Sequence, residues 1–414
     1  LAVAPLAPDT LRLDSVYAEL ERRSPSLRAS AAGARAAHAR IGPVTRLPDP
    51  ELRLETMNRR LSGLGLDPVL GMNQVTVMQM VPLGGRIGLS ADAARARASA
   101  ADQRVPESRL TLRMQAARQF YTLYRIDQSV AVIQDTRDLV RRLGRTTESM
   151  YAVGEGRQAD VLRSQVELAR MNEELIRMQA MRSAEAARLN GLLDRDPADR
   201  IEVVLLPDLG VDLPELDSLV MLALRTRPML RAAREDLNAA TADERRAGRE
   251  LWPELVLGAT YGQRRMEGMT DRMVSFMVGA SLPVWAGRRQ QQMQVEASAM
   301  REMAQAELAA MEAETRARVT EVVAELGRID RLLDLYRGTV LPQSQAAVGS
   351  ALSAYQVGAV DFMTLLDNQM AVNRYRLEVV TLTAERGIML AELEMLTAVS
   401  WVSSSAAVPA GGIQ

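Results

Sequence analysis

The sequence predicts a mostly α chain with a small β part, built from duplicated long coiled-coil helical hairpins plus four β-strands. Three observations predict it. The chain is written twice, the apolar period changes from 3.6 to 2 at one place in each copy, and a very long helical stretch follows each change. Ser24-Pro25-Ser26-Leu27-Arg28-Ala29 returns as Arg227-Pro228-Met229-Leu230-Arg231-Ala232, 203 residues on, and Pro50-Glu51-Leu52 returns as Pro253-Glu254-Leu255 at the same offset. Pro82, Gly85 and Arg86 return as Pro283, Gly287 and Arg288 at offsets of 201 and 202. Tyr151-x-Val153-Gly154, Leu162 and Gln165 return as Tyr355-x-Val357-Gly358, Leu366 and Gln369, all at 204. Chance matches would scatter in offset, so residues 1–207 are read as a first structural repeat and 208–402 as a second. Residues 403–414, of Ser, Ala, Gly and Pro character, are expected to be a disordered tail.

Each repeat opens with an Ala- and Arg-rich helical stretch, residues 11–40 and 216–249, ended by the Pro-Glu-Leu step. Strands are then expected at about 51–58 and 73–81, and at about 254–262 and 273–282, joined by polar loops at 59–72 and 263–272. Leu52, Leu54 and Thr56 share one face against Arg53 and Glu55, and Leu255, Leu257, Ala259 and Tyr261 share a face in the second copy. Strands of about ten residues are long enough to cross a bilayer when tilted. After each hairpin, a Pro and a Gly-Arg step lead into long helices at about 87–150 and 159–191, and at about 288–354 and 362–396. At about 1.5 Å per residue, the first is close to 100 Å long. Pro106 is expected to kink it, and Pro342 to break its counterpart. In the return helix Val161, Leu168, Leu175 and Leu189 occupy one heptad position, with Ser164, Met171, Met178 and Leu192 three residues later. Arg182 and Glu185 interrupt that seam. The Asp- and Pro-bearing stretch 194–214 reads as a connecting or equatorial segment.

Composition narrows the function. With 51 basic and 52 acidic residues the net charge is −1, which announces no nucleic-acid partner. The chain has no Cys and one His, His38, so thiol catalysis, iron–sulfur clusters and His/Cys zinc sites are excluded. No nucleophile–base pair or phosphate loop stands out, and no catalytic residue, cofactor or metal ligand is assigned. The 23 Met include Met57, Met72, Met78, Met80, Met266, Met269, Met273 and Met277 in or beside the hairpins. Thioethers bind Cu(I), but Met in such a chain more often fills packing gaps. No run of about eighteen apolar residues exists, so a β-barrel is the remaining route into a membrane. The loose start at residues 1–8, without an initiator Met, suits a mature protein whose secretory signal has been removed.

Four strands do not close a barrel. An open sheet in lipid would leave unpaired edge groups at several kcal/mol each. Barrels begin at about eight strands, so about two or three chains must contribute. Trp252 and Trp285 flank the second hairpin and are read as membrane-interface anchors at one rim. Gly154 and Gly358 are expected to supply left-handed helix C-caps between the long helices. Asp160 falls in the first turn of a helix, where the dipole favours a carboxylate by about 0.3–1 kcal/mol.

This pattern resembles the TolC-type outer-membrane efflux channels, the outer-membrane factors of RND-type pumps. The resemblance covers about residues 11–401, and its most specific pieces are the duplication and the paired Tyr-x-Val-Gly segments. The strand exit Gln79-Met80-Val81-Pro82-Leu83-Gly84-Gly85-Arg86 looks most like the heavy-metal-pump branch. The resemblance implies a homotrimer in the bacterial outer membrane, with a twelve-stranded barrel above a periplasmic helical tunnel. It also implies passive exit for solutes or metal ions handed over by an inner-membrane RND-type transporter and a periplasmic adaptor (membrane fusion) protein. By the same resemblance, the turns at Tyr151, Gly154, Tyr355 and Gly358 are tunnel tips that dock the adaptor. Asp367 and Asp160 belong at the periplasmic entrance, Asp367 in an acidic constriction ring. Many relatives carry a lipidated Cys near the amino terminus, and this sequence has none. The competing reading is a soluble coiled-coil scaffolding protein.

Overall fold

The computed structural model describes residues 11–58, 66, 71–201, 204–266, 269–282 and 284–402. The expectations for the amino-terminal segment 1–8, the tail 403–414, Pro283 and most of the first hairpin loop lie outside the described residues. The first repeat holds α1 (Leu13–Arg23), α2 (Pro25–Ala39), α3 (Ile41–Val44), β1 (Glu51–Met57), β2 (Met72–Pro82), α4 (Arg86–Ala152) and α5 (Gln158–Leu192). The second holds α6 (Leu216–Thr226), α7 (Pro228–Gly248), β3 (Glu254–Met266), β4 (Met269–Ser281), α8 (Gln290–Leu335), α9 (Leu341–Gln356) and α10 (Phe362–Thr397).

Proline breaks each opening helical stretch in two, at the same point of the repeat. A proline ring pushes the residue before it out of the helical region. Ser24 therefore sits at φ −54°, ψ 118°, and Arg227 at φ −57°, ψ 119°, while Pro25 and Pro228 start the next helices. Pro106 lies within an α4 that stays helical throughout. The break expected at Pro342 takes the form of a π-turn, Tyr336–Val340, in which the Leu341 N–H reaches back to the Tyr336 carbonyl. Pro342 then falls in the first turn of α9, where its missing N–H is least costly.

The four strands form one antiparallel sheet in the order β1-β2-β3-β4, the two hairpins being joined by β2 against β3. Asn58, at φ 56°, turns the chain out of β1. One expectation is corrected here. The polar stretch 263–272 reads as a loop in the sequence, yet pairing continues through Gln263↔Arg272 and Arg264↔Asp271 as far as Met266↔Met269. Polar side chains opposite one another, including an opposite-charge pair, support a ladder as well as apolar ones do.

Packing divides the chain into two compact units, each drawing on both repeats, with one boundary at Pro106 inside α4. Among the described residues, one unit comprises 11–29, 106–228 and 313–402. Its core gathers Val16 and Leu20 of α1, Phe120 and Tyr121 of α4, Leu189 of α5, Val322 and Leu326 of α8, and Leu390 and Leu393 of α10. The connecting segment 194–214 is part of this core, where it buries Val204 and Leu209. The α5 heptad seam is the buried side of that helix, with Ser164, Met171, Leu175 and Leu189 buried. Arg182 interrupts the seam to pair with Asp127 at 2.5 Å and to donate to the Ile201 carbonyl at 3.1 Å. The other unit, Ser30–Val105 and Met229–Glu312, carries the sheet and the helices adjoining it in sequence. Among the described residues no helix is long and apolar enough to cross a membrane.

Candidate functional site: a two-faced sheet and a pair of helix-tip turns

Strand register sorts the sheet into two chemically different faces. The rows Leu52–Val77–Ala259–Phe276 and Leu54–Val75–Tyr261–Val274 run across all four strands on one face. These side chains are open to the surroundings, Phe276 to 83%. The opposite face carries the rows Arg53–Thr76–Thr260–Ser275 and Glu51–Met78–Gly258–Met277. There Thr76 and Thr260 share a hydrogen bond of 2.9 Å, Gln74 donates to Glu55 at 2.5 Å, and Arg53 pairs with Glu51 at 3.0 Å. On the first face only Gln79 interrupts the apolar rows between Val81 and Val75, and an apolar face left open among the described residues is unfavourable in water and favourable in hydrocarbon.

The end of the sheet that leads into α4 is braced. Arg86 pairs with Glu250 and Glu254, each at 2.7 Å, and so ties the start of α4 to the start of β3. Trp252 lies just before β3 and Trp285 just after β4, both half-exposed or more, at the end where Glu254 pairs with Ser281. A Cβ on Gly84 would stand 2.9 Å from the Trp252 ring, so glycine leaves room for the indole.

The second cluster lies where α4 turns into α5 and α9 into α10. Gly154 has φ +84° and Gly358 φ +72°. The Gly154 N–H donates to the Tyr151 carbonyl at 3.1 Å and the Glu155 N–H to Met150 at 2.9 Å. In the second copy Gly358 donates to Tyr355 at 3.0 Å and Ala359 to Ala354 at 2.9 Å. These are two copies of one Schellman cap. The turns also act on each other electrostatically. Burial, and then the Asp160 carboxylate, raise the pKa of the Tyr355 phenol. Asp361, the N-cap of α10, accepts from the Thr364 hydroxyl at 2.6 Å and its backbone N–H at 2.9 Å. Those bonds, with Arg157 nearby, hold its pKa below the ordinary carboxylate value. Asp367 is exposed in the second turn of α10 and makes no hydrogen bond or ion pair with the described residues.

The sequence matches the outer membrane efflux protein family over residues 16–194 and 219–399. The chain belongs to that family. The fold is shared with solved channels of low sequence identity. VceC from Vibrio cholerae is 16% identical with a TM-score of 0.79, over 94% of this chain and 96% of that one. CusC is 14% identical with a TM-score of 0.82, over 96% and 95%. The open-state MtrE channel of Neisseria gonorrhoeae is 17% identical with a TM-score of 0.79, over 94% and 90%. Comparison with curated proteins gives no match.

An outer membrane efflux protein is a channel in the outer membrane, and its four strands are one chain's share of the barrel. Their apolar face is the one suited to lipid, and their polar face is suited to the water-filled interior. Two features of the site escaped the sequence reading. The Asp361 cap was legible in principle from an Asp three residues before a Thr at a helix start. The burial difference between repeats was not, because it depends on tertiary packing. Tyr355 and Leu366 are 8% and 2% exposed in a core with Val140, Leu143 and Phe362, whereas their repeats Tyr151 and Leu162 are 48% and 54% exposed.

Proposed function

We propose that three copies of the chain form a channel-tunnel giving passive exit to solutes or metal ions. In this reading, an inner-membrane RND-type pump and a periplasmic adaptor deliver the cargo. The observation that carries the reading is the pair of sheet faces, apolar on one side and polar on the other, on a four-stranded sheet whose outer edges are unpaired among the described residues. Edge groups left open in hydrocarbon cost several kcal/mol each, and three chains close the sheet at twelve strands. The repeats support closure by further copies. The second-repeat set Tyr355, Leu366 and Gln369 is buried within the chain, while the corresponding Tyr151, Leu162 and Gln165 are exposed. A duplicated surface with one half satisfied and the other open suits a head-to-tail ring.

In that ring, residues 1–207 and 208–402 act as two similar structural repeats. The turns at Tyr151, Gly154, Tyr355 and Gly358 form the periplasmic tip against which the adaptor docks. Asp367 faces the axis, where three carboxylates make an acidic constriction that favours cations. Asp160, in the first turn of α5 where the helix dipole favours a carboxylate, serves the stability of the tip. Trp252 and Trp285 anchor the barrel rim in the headgroup layer. Single-channel recording of the reconstituted protein tests the assignment. Asp367→Asn is expected to reduce cation selectivity with the channel still assembled. Unchanged selectivity in Asp367→Asn, with altered selectivity in Asp160→Asn, would place the constriction elsewhere.

A further inference from the structure

All eight methionines of the four strands register on the same face of the sheet, the one that also carries Arg53, Thr76 and Thr260. The opposite face carries Leu, Val, Phe, Tyr and Ala, with Gln79 among them and Thr56, Asn73, Gln263 and Arg272 toward the hairpin ends, and not one methionine. If these side chains served as ordinary hydrophobes, the lipid face is where they would be found. Gap-filling accounts for some of them at most, since Met57, Met80, Met269, Met273 and Met277 are all exposed.

The best-defined pair lies in the row Glu51–Met78–Gly258–Met277. Gly258 separates the two methionines, and both side chains converge on the hollow above it. A Cβ there would meet the Met277 Cε at 3.1 Å and the Met78 Cγ at 3.5 Å. Three rotatable bonds let each thioether turn its sulfur toward a shared ion. Glu51, in the same row, is already paired with Arg53 at 3.0 Å, which leaves the thioethers as the donors of the site. Gly262 repeats the arrangement two rows on, beyond Thr260, with Met72 lying over it and Met273 opposite. Neutral thioethers select soft monovalent ions of the Cu(I) and Ag(I) class. Among the described residues no group of three His, Cys, Asp or Glu is placed to hold a metal. A lining of weak sulfur donors without thiolate fits transit, which needs sites that bind and also release.

We propose that the polar face of the strands is a thioether path for soft monovalent metal ions, with Met78 and Met277 over Gly258 as its principal site. This rests on the channel reading above, because the face becomes a lumen only when the barrel closes. The test uses Ag(I) as the probe, in chloride-free nitrate, on the purified full-length protein in planar bilayers. Ag(I) is expected to depress the potassium current, and the double variant Met78→Leu/Met277→Leu to need about tenfold more Ag(I) for the same effect. Met293→Leu/Met300→Leu, on α8, is expected to leave the response unchanged. Normal current that Ag(I) does not affect, or an equal response in the Met78/Met277 variant, overturns the thioether path and leaves the channel standing. Absence of any current contradicts the channel reading instead. Peroxide footprinting of the wild-type protein in detergent, read peptide by peptide, needs no variant to fold. Ag(I) is expected to slow oxidation of Met78 and Met277 several-fold relative to the exposed Met300, and equal oxidation with and without Ag(I) overturns the site.

Discussion

One backbone torsion decides each turn of the helix tip. Gly154 and Gly358 hold positive φ, and a Cβ on either would meet no heavy atom within 4 Å, so any cost of substitution comes from the backbone and not from a clash. Left-handed backbone costs an ordinary residue about 1–2 kcal/mol, and a β-branched residue resists it further. Gly358→Val is therefore expected to lower stability by about that amount and to impair adaptor-dependent export, as thermal unfolding and an export assay would show. Equal stability and export would mean that the turn is not held by its torsion. Asp361 makes a separate prediction with a defined sign. Its folded pKa is depressed by the Thr364 bonds, so its stabilisation is fully present above the unfolded value of about 3.9 and is lost as pH falls through the folded one. Asp361→Ala should unfold at a lower temperature than the wild type at neutral pH, and the gap should close below about pH 4. A gap that is constant across that range would remove the carboxylate from the account.

Among the elements, the sheet makes the sharpest prediction. Phe276→Arg places a charge on the lipid face and should cost about 2–4 kcal/mol, whereas Ser275→Arg, one residue away, points into the lumen and should cost much less. Comparing the yield of assembled barrels checks this, and similar tolerance at both positions would reverse the faces. The alternation of Leu52, Leu54 with Arg53, Glu55 made those faces legible in the sequence, because period 2 survives in any half-exposed strand. The long helices were legible from their uninterrupted pattern, and the repeat offset paired them. Strand length was not legible. Gln263 and Arg272 look like loop residues, and their pairing is set by the partner strand. The two-part opening helices could have been read from Pro25 and Pro228, which the repeat itself had marked. The π-turn before Pro342 depends on how the helix accommodates the ring, which sequence pattern does not encode. The methionine face was hidden because the eight residues are scattered along the chain and only register aligns them.

For the whole molecule, the roles of Asp367 and of the strand edges depend on other copies. An acidic ring at the entrance follows from the family resemblance, and one chain places one Asp367 carboxylate, exposed and without an ion pair among the described residues. The exposed first-repeat surface with Tyr151 and Leu162, and the open apolar sheet face, are both left uncovered by the described residues of one chain. Closure of twelve strands by three chains satisfies them together, and it is the claim on which lumen, lipid face and entrance all depend. Native mass measurement of the protein solubilised from outer membranes in detergent tests it most directly. The account predicts three chains per particle, and a stable, water-soluble monomer would contradict it.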